Sequence, residues 1–334
     1  MLSKPNIEKM NILIFHNSIL PVSKYGGTER IVYWLGKQYA LMGHHVTFLC
    51  QAGSVSEFAR MIVYNPAISF NEQIPEDIDV LHLDFKPIEA LKKPYIVMLQ
   101  GNAGYGVNLD LNTIFVSKNH ANRHNSEAYV HNGLDISDYG KPTFTQKRTY
   151  LHFLAKASWR LKNVKGAVEL ARKTNNKLSV LGGTRLNIKM GFRFTPYPSI
   201  KFYGMVGGEE KNHLLNNSKG LLFPVLWHEP FGIALIESLY MGCPVFGTPY
   251  GSLTELITPE VGFLSNKKSE LIAQINDIER FDNKICSEYV ADNFTIRHTA
   301  EAYLKYYEVV LNGKSINKTP PTELEKQPKF LAFD

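Results

Sequence analysis

The segment Leu221–Ile257 constrains the fold of this chain more than any other stretch. It reads LLFPVLWHEPFGIALIESLYMGCPVFGTPYGSLTELI and begins with the apolar run Leu221–Val225, which is typical of a buried strand. A helix is expected from near Pro230, because proline is tolerated in a first helical turn. Gly242 ends that helix, and Val245–Gly247 resumes as a strand. The segment therefore predicts a strand–helix–strand unit of a parallel α/β sheet.

Two carboxylates mark this unit: Glu229 lies just before the expected helix, and Glu237 lies inside it. A helix between them would separate them by about 12 Å, a length that suits a nucleotide sugar. Either carboxylate alone is more often an ordinary surface residue, but the apolar neighbours of Glu237 indicate a buried group that needs a partner. Three residues between them offer N–H groups without helical partners, which favour a phosphate: Phe231, Gly232 and Ile233.

The first part of the chain carries another strand–helix–strand pattern. Met10–Phe15 is a short apolar strand, a helical pattern extends through Met42, and His44–Cys50 is the next strand. The pair Gly26-Gly27 precedes that helix and permits close backbone approach to a phosphate or a sugar. Because the GxGxxG fingerprint is absent, a dinucleotide site is disfavoured. Further strands are expected at Arg60–Tyr64, Val80–Leu83, Tyr95–Leu99, Thr113–Val116 and Tyr129–Asp135.

A third pattern follows a polar linker that begins at Gly140. It starts with the strand Tyr150–Leu154, and further strands are expected at Leu178–Leu181 and Ile200–Tyr203. Four cations follow the first of these strands, at a turn where a departing diphosphate would be neutralised: Lys156, Arg160, Lys162 and Lys165. For at least two of them, a solvated basic loop is the ordinary interpretation. Helices are expected at roughly 268–280, 284–292 and 296–311, and the Pro- and charge-rich tail from Asn312 is expected to be mobile or loosely docked.

Composition and charge exclude several classes of protein. The 334 residues are 44% hydrophobic and 20% charged, as in a globular protein with two cores. No apolar run reaches about 18 residues and the N-terminal sequence lacks a secretory signal, so a cytoplasmic protein without a transmembrane helix is expected. The net charge of +6 is spread thinly, which disfavours a nucleic-acid partner and is compatible with weak peripheral membrane association. The cysteines fit neither a disulfide framework nor a metal motif: Cys50, Cys243 and Cys286.

These motifs resemble those of a known family, the retaining family-4 glycosyltransferases of GT-B fold, from about Met10 to Leu311. The stretch EPFGIALIE, Glu229 to Glu237, resembles the E-x7-E motif of the family, and the small-residue turn GCPV follows it. The stretch YGSLTELI resembles the G-x-x-E-x-I continuation. The GGTER loop, the MGHHV strand entry and the NGLD turn of the first half fit the family as well.

The resemblance implies an α/β protein with two facing Rossmann-like domains. The acceptor-side domain would occupy residues 1–140, and the nucleotide-sugar-binding domain would occupy residues 141–295. A helix at about 296–311 would cross back to the first domain, and residues 312–334 would form a tail. His82 ends a predicted strand at the edge of the cleft and is a candidate general base, although a lone histidine there is more often structural.

The resemblance also implies roles for individual residues. Glu229 would lie beside hydroxyls of the donor sugar, and Glu237 would accept hydrogen bonds from the ribose hydroxyls. The N–H groups of Phe231 and Gly232 would approach the sugar and the phosphates, and Gly27 would let the first-domain loop close over the diphosphate. The base would be held by backbone contacts near Tyr203, Gly204 and Val206. No metal or other cofactor would be needed, because cations and a helix dipole replace it.

Two departures from the family pattern affect these roles. The family has Gly-Arg at the first strand end of the second domain and a lysine five residues later, whereas Lys156 stands at that strand end here. We favour Lys162 for the diphosphate, with Lys156 or Arg160 as its partner, although Arg160 and Lys165 keep the family spacing further from the strand. Gln100 stands where many members have histidine, so no catalytic role for a histidine carries over to that position.

Together these features predict a retaining, metal-independent glycosyltransferase. It would move a sugar from a nucleoside diphosphate sugar, with a UDP-sugar preferred on family frequency, to an acceptor hydroxyl in glycan or glycolipid synthesis. The acceptor could be a glycan, a lipid-linked molecule or a small molecule, since no motif resolves it. A nucleotide-sugar epimerase of the same fold and a non-catalytic nucleotide-sugar-binding protein are the alternatives.

Overall fold

The computed structural model describes residues 9–22, 26–188 and 190–334, which form two α/β halves that face each other across a cleft. The strands of the first half are β1 (Asn11–His16), β2 (His45–Cys50), β3 (Arg60–Val63), β4 (Val80–Leu83), β5 (Tyr95–Leu99) and β6 (Thr113–Phe115). They form a parallel sheet in the order β3-β2-β1-β4-β5-β6. Its helices are α1 (Gly27–Leu41) and α2 (Lys118–Arg123).

The second half repeats this arrangement. Its strands β7 (Tyr150–Leu154), β8 (Leu178–Leu181), β11 (Ile200–Phe202), β12 (Ser218–Phe223), β13 (Val245–Gly247) and β14 (Gly262–Leu264) form a parallel sheet in the order β11-β8-β7-β12-β13-β14. A short antiparallel hairpin, β9 (Leu186–Asn187) and β10 (Arg193–Phe194), stands apart from it. The helices are α3 (Val164–Lys173), α4 (Gly208–Asn216), α5 (Ile233–Tyr240), α6 (Leu253–Leu256), α7 (Lys268–Asn276) and α8 (Asn283–Asn293).

Each sheet is covered by helices, which is why its strands are continuous apolar runs. In β1, for example, the three successive residues Ile12, Leu13 and Ile14 are all buried. The carboxyl ends of both sheets point to the cleft, where the loops that follow the strands meet. The expected fold class, two facing Rossmann-like halves, is confirmed.

The last helix, α9 (Ile296–Leu311), packs back on the first half, as expected. Its Tyr307 hydroxyl donates to the Tyr39 hydroxyl of α1 (3.2 Å) and lies 2.7 Å from Nδ1 of His82. Burial lowers the pKa of His82 to about 3, so the ring is neutral. His82 therefore helps to anchor α9 through Tyr307, and it does not line the donor-side cleft.

The chain crosses between the halves at two points that lie side by side. Leu134 N–H donates to the carbonyl of Phe294, and Ile296 N–H donates back to the carbonyl of Leu134, both at 2.8 Å. The fit requires glycine at position 133, because a Cβ there would lie 2.2 Å from the carbonyl oxygen of Thr295. The predicted strand Tyr129–Asp135 is wrong, since this segment makes isolated bridges at Tyr129 and Leu134 and then enters the crossing.

The tail is more firmly docked than its composition predicts. On the first half, the buried side chain of Asn317 donates to the carbonyls of Leu111 (2.9 Å) and Thr113 (2.8 Å). On the second half, Leu331 N–H donates to the carbonyl of Leu226 at 2.8 Å, and Phe333 packs against α3. The tail therefore crosses the molecule a third time and ties the two halves together.

The cysteines and the helices have two further properties. The three cysteines are buried free thiols. Burial raises the pKa of Cys243 to about 11 and that of Cys286 to about 12. Among the described residues, no helix is long and apolar enough to cross a membrane.

Candidate active site

A cavity of about 420 Å³ lies between the carboxyl ends of the two sheets, and we call it the donor cavity. The first half contributes the start of α1, from Gly26 to Arg30, and the loop residues Gln100 and Asn132. The second half contributes Lys162 and the segment from Glu229 to Glu237. Gln100 and Asn132 exchange amide hydrogen bonds of 2.9 and 2.8 Å, so the position at which the family has histidine carries a paired amide.

Glu229 is a buried lining residue of the donor cavity and is held by two donors. Lys162 Nζ lies 2.8 Å from Oε1 and 2.6 Å from Oε2, and the indole N–H of Trp227 donates to Oε2 at 2.8 Å. The Lys162 ammonium also lies 4.9 Å from the centre of the Trp227 ring. Carboxylate, cation and indole therefore form one rigid group at the cavity wall.

The local chain path explains why Glu229 faces the cavity. Glu229 and Gly251 form a parallel bridge, in which a Cβ on Gly251 would lie 2.3 Å from the Glu229 backbone N. Gly232 then adopts a left-handed conformation (φ 82°), and α5 begins at Ile233. The helix expected from Pro230 therefore starts three residues later, and the estimate of about 12 Å from helical rise does not apply to the two carboxylates.

Glu237 is buried inside α5 and lines the same cavity. Its Oε1 atom accepts hydrogen bonds from Arg30 of α1 (2.6 Å), the Tyr139 hydroxyl (2.6 Å) and Lys211 of α4 (2.5 Å). Within the described part of the chain, no group donates to Oε2. One oxygen of the carboxylate is therefore saturated, and the other is left for a ligand.

Charge balance in this cluster follows from burial and pairing. Burial alone would raise the pKa of the Glu237 carboxyl, but Arg30 and Lys211 outweigh it and hold that pKa well below its usual range. Burial lowers the pKa of the Lys211 ammonium despite the carboxylate beside it. Burial and the Glu237 charge raise the pKa of the Tyr139 hydroxyl, so the phenol stays protonated and donates. The cluster therefore carries two cations on one carboxylate.

The other predicted binding residues fall into two groups. Those that line the donor cavity are Gly26, Gly27, Phe231, Gly232, Ile233 and Val206. Tyr203 and Gly204 lie just before Met205 and Val206, which do line it. No contact with a ligand tests these positions, and their roles stay predictions.

Of the four candidate cations, the fold brings only Lys162 to Glu229 among the described contacts. Lys156 lies 5.4 Å from the centre of the Trp159 ring, and it does not line the donor cavity. Arg160 and Lys165 line a different cavity, on the other flank of Trp159. Lys162 lies at the end of a short helical turn, Arg160–Lys162, between β7 and α3, and its role at a diphosphate stays a prediction.

Four residues that contact the two carboxylates were not predicted from the sequence: Arg30, Tyr139, Lys211 and Trp227. Arg30 had a signal, because it follows the glycine pair in GGTER and therefore sits in the first turn of α1. Trp227 lies two residues before Glu229 and could have been found by its spacing. Tyr139 and Lys211 had none, since each reaches Glu237 only through the folded arrangement. In the described residues, no cluster of side chains could hold a metal ion.

Comparison with known proteins supports the same family of folds. Residues 138–289 match the family model described as glycosyl transferases group 1. The crystal structure of AviGT4, a glycosyltransferase involved in avilamycin A biosynthesis, is similar with a TM-score of 0.74 and 19% identity, over 91% of this chain and 98% of that chain. A sequence comparison with curated proteins finds no match.

Two further solved structures resemble most of the chain. Sucrose-phosphate synthase from Thermosynechococcus elongatus has a TM-score of 0.67 and 15% identity, over 92% of this chain and 100% of that chain. Anabaena HepE in complex with UDP and glucose has a TM-score of 0.63 and 12% identity, over 90% of this chain and 99% of that chain. At these identities the likeness establishes the fold.

Proposed function

We propose that this chain, a GT-B protein whose residues 138–289 belong to the glycosyl transferases group 1, moves a sugar from a nucleoside diphosphate sugar to an acceptor hydroxyl with retention of configuration. The observation that carries the proposal is the donor cavity, which is lined by the Glu229–Lys162 pair and by Glu237. A UDP-sugar is the preferred donor, and the similar HepE structure was solved with UDP and glucose.

Each of the two carboxylates suits one part of such a donor. Oε2 of Glu237 would accept hydrogen bonds from the ribose hydroxyls, since Oε1 is already saturated. Glu229 would accept from hydroxyls of the transferred sugar. Between them, the N–H groups at the start of α5 and the glycines before α1 would lie against the diphosphate. The acceptor would approach from the first half and belong to a glycan, a glycolipid or a small molecule.

The chemistry needs a cation where negative charge develops on the departing diphosphate. Lys162 would supply it, and Glu229 together with Trp227 holds the ammonium in place beforehand. As the bond between the anomeric carbon and the diphosphate oxygen breaks, the ring passes through an oxocarbenium-like state. The acceptor oxygen bonds to the same face, and its proton goes to the departing diphosphate oxygen. Sugar, proton and charge then balance without another base.

The decisive experiment has two steps. Nucleotides and nucleotide sugars are first screened for thermal stabilisation, since a ligand at 100 times its dissociation constant adds about 2.7 kcal/mol. The stabilising donor is then incubated with candidate acceptor sugars and lipids, and NMR reads the anomeric configuration of the product. Turnover of the nucleotide sugar to an isomer without acceptor would indicate an epimerase, and binding without transfer or hydrolysis would indicate a non-catalytic binding protein.

A variant assigns the role of Glu229. Glu229→Ala should lower turnover more than it lowers nucleotide affinity, because the carboxylate would touch the transferred sugar and not the nucleoside. The exposed Glu260→Ala is the matched control and should behave as the native chain. Full activity of Glu229→Ala would overturn the assignment.

A further inference from the structure

A second cavity, of about 500 Å³, shares Trp159 with the donor cavity and opens beside it. Its walls come from the turn between β7 and α3, from the β9–β10 hairpin, and from the docked tail, which contributes Phe330. No step of the proposed glycosyl transfer uses this cavity. Its side chains combine unpaired positive charge with apolar surface.

Three cations line the second cavity: Arg160, Lys165 and Arg193. Within the described residues none of them forms an ion pair with a carboxylate. Arg193 is only 7% exposed, and its guanidinium donates to neutral oxygens, the Thr195 hydroxyl (3.0 Å) and the Thr184 carbonyl (2.8 Å). A buried cation without a counter-charge is costly, so the cavity favours an anion.

The hairpin beside these cations exposes apolar side chains. The register pairs Leu186 with Phe194, which places both on one face, while Asn187 pairs with Arg193 on the other. Five large apolar residues are left in solvent within nine positions: Leu186 (52% exposed), Ile188 (71%), Met190 (47%), Phe192 (74%) and Phe194 (55%). Leu186 and Phe194 lie side by side, and exposed apolar surface of this kind is typical of a docking surface.

The charge around the patch selects its partner. A second copy of this chain, docked about a two-fold axis, would bring the same unpaired cations together and repel. An anionic membrane offers both missing components, because its interface accepts apolar side chains and its headgroups carry phosphates. The Arg160 guanidinium lies 4.9 Å from the centre of the Phe330 ring, so a cation and an apolar side chain are in contact in the second cavity.

We infer that the β9–β10 hairpin and the second cavity form a membrane-docking site. The exposed side chains of the hairpin enter the interfacial region of the bilayer, while Arg160, Lys165 and Arg193 take the phosphate of an anionic lipid headgroup. Because the two cavities share Trp159, docking brings the mouth of the cleft beside the bilayer surface. The site binds lipid whether or not a sugar is transferred.

Vesicle co-sedimentation of the full chain, without nucleotide, tests this site. The protein should sediment with phosphatidylcholine vesicles that contain phosphatidylglycerol and not with phosphatidylcholine alone. Binding should weaken as salt is raised, because salt screens the attraction of cations to the anionic surface. Failure to bind the anionic vesicles would overturn the inference and leave the proposed function untouched.

Two variants locate the contact on the chain. Ile188→Ser with Phe192→Ser should weaken vesicle binding by at least about tenfold, from the lost apolar transfer. Arg160→Gln with Lys165→Gln should weaken it about 25-fold, at about fivefold per cation. The matched controls are Ile88→Ser, at a fully exposed apolar residue of the first half, and Lys173→Gln, at an exposed cation at the other end of α3. Equal losses in variants and controls would overturn the site.

Two measurements separate the remaining occupants. Sedimentation equilibrium detects self-association, and a dimer that Phe192→Ser dissociates would show that the patch joins copies of this chain. Calorimetry with inorganic phosphate and with glycerol 3-phosphate detects a soluble anion. Phosphate binding that the Arg160→Gln variant weakens, together with vesicle binding that the hairpin variant leaves unchanged, would contradict membrane docking. Thermal melting of each variant checks that the fold is intact.

Discussion

Glu237 uses its two carboxylate oxygens unequally. Oε1 accepts from Arg30, Tyr139 and Lys211, and Oε2 receives no donor from the described residues. A carboxylate that its neighbours already orient loses little freedom when a ligand binds the second oxygen. The sequence predicted a buried carboxylate in need of a partner, because its neighbours in α5 are apolar. It could not predict Arg30, which is distant in the chain and meets Glu237 only when the two halves face each other.

Glu237→Gln tests the proposed ribose contact. The amide keeps the shape of the side chain but loses the charge that strengthens hydrogen bonds from hydroxyls. Nucleotide affinity should fall by about 1.5–3 kcal/mol, which is about tenfold to 150-fold. Isothermal calorimetry with UDP measures it. Glu255→Gln, at a carboxylate outside the donor cavity, is the control, and equal affinity of Glu237→Gln and the native chain would refute the contact.

Buried histidines make the fold sensitive to mild acid. Burial lowers the pKa of His82 and of His152 to about 3, below the value of about 6.5 in an unfolded chain. Between these values the unfolded chain binds protons that the folded chain does not. The free energy of unfolding should therefore fall as pH drops below about 6.5, by up to about 2 kcal/mol per histidine at pH 5.

Urea unfolding at pH 7.5 and pH 5 measures this effect. In His82→Gln the drop between the two pH values should be smaller by up to about 2 kcal/mol, whatever the stability at pH 7.5. His45→Gln, at an exposed histidine, should keep the drop of the native chain. A drop of the same size in His82→Gln would show that this ring does not carry the effect.

At the scale of elements, the sequence predicts best where apolar residues run continuously. The core strands β4, β5, β7, β8 and β13 begin and end as expected, since strands of covered parallel sheets are apolar throughout. The prediction of a strand fails where an apolar stretch connects the two halves. Tyr129–Asp135 leads into the crossing between the halves instead of forming a strand. The β9–β10 hairpin, whose apolar side chains are exposed, was not predicted from the sequence. The start of α5 shifts because Gly232 is left-handed, which no periodicity reveals.

The docked tail should contribute to stability through Asn317. Its side chain donates to two carbonyls and accepts from the Ser126 hydroxyl at 2.6 Å, so all these polar groups are satisfied in a buried place. Asn317→Ala leaves them without a partner and should lower the free energy of unfolding by about 1–3 kcal/mol. Urea denaturation measures the change. The exposed neighbour Lys318→Ala is the control, and a loss no larger than in that control would contradict the structural role.

At the scale of the whole molecule, the two halves meet through polar contacts around the donor cavity. The Ser117 hydroxyl donates to the carbonyl of Pro230 at 2.6 Å, and the Asn102 amide donates to the carbonyl of His228 at 2.9 Å. Two facing domains could be predicted from the repeated strand–helix pattern. The surfaces that touch could not, because they depend on the path of the chain between the halves.

Arg30 is the charged contact between the halves inside the donor cavity. Arg30→Met should remove about 1.5–3 kcal/mol of preference for the closed arrangement, which changes the ratio of closed to open molecules by at least about tenfold. Small-angle X-ray scattering should then give a larger radius of gyration than for the native chain. Arg30→Lys, which keeps the charge, should stay closer to native. An unchanged radius of gyration in Arg30→Met would contradict the prediction, because it would mean that the other contacts between the halves are enough to keep the cleft closed.

The paired crossings at Leu134 and Phe294 have a mechanical consequence. The two connecting segments are hydrogen-bonded to each other, so they resist twisting and bend together about a shared hinge axis. The two halves should therefore open and close by a hinge rotation more easily than by sliding past each other. The walls of the cleft should then meet in the same register each time the cleft closes. Gly133 lets the two connecting segments lie this close together, because a side chain at this position would clash with the backbone of Thr295.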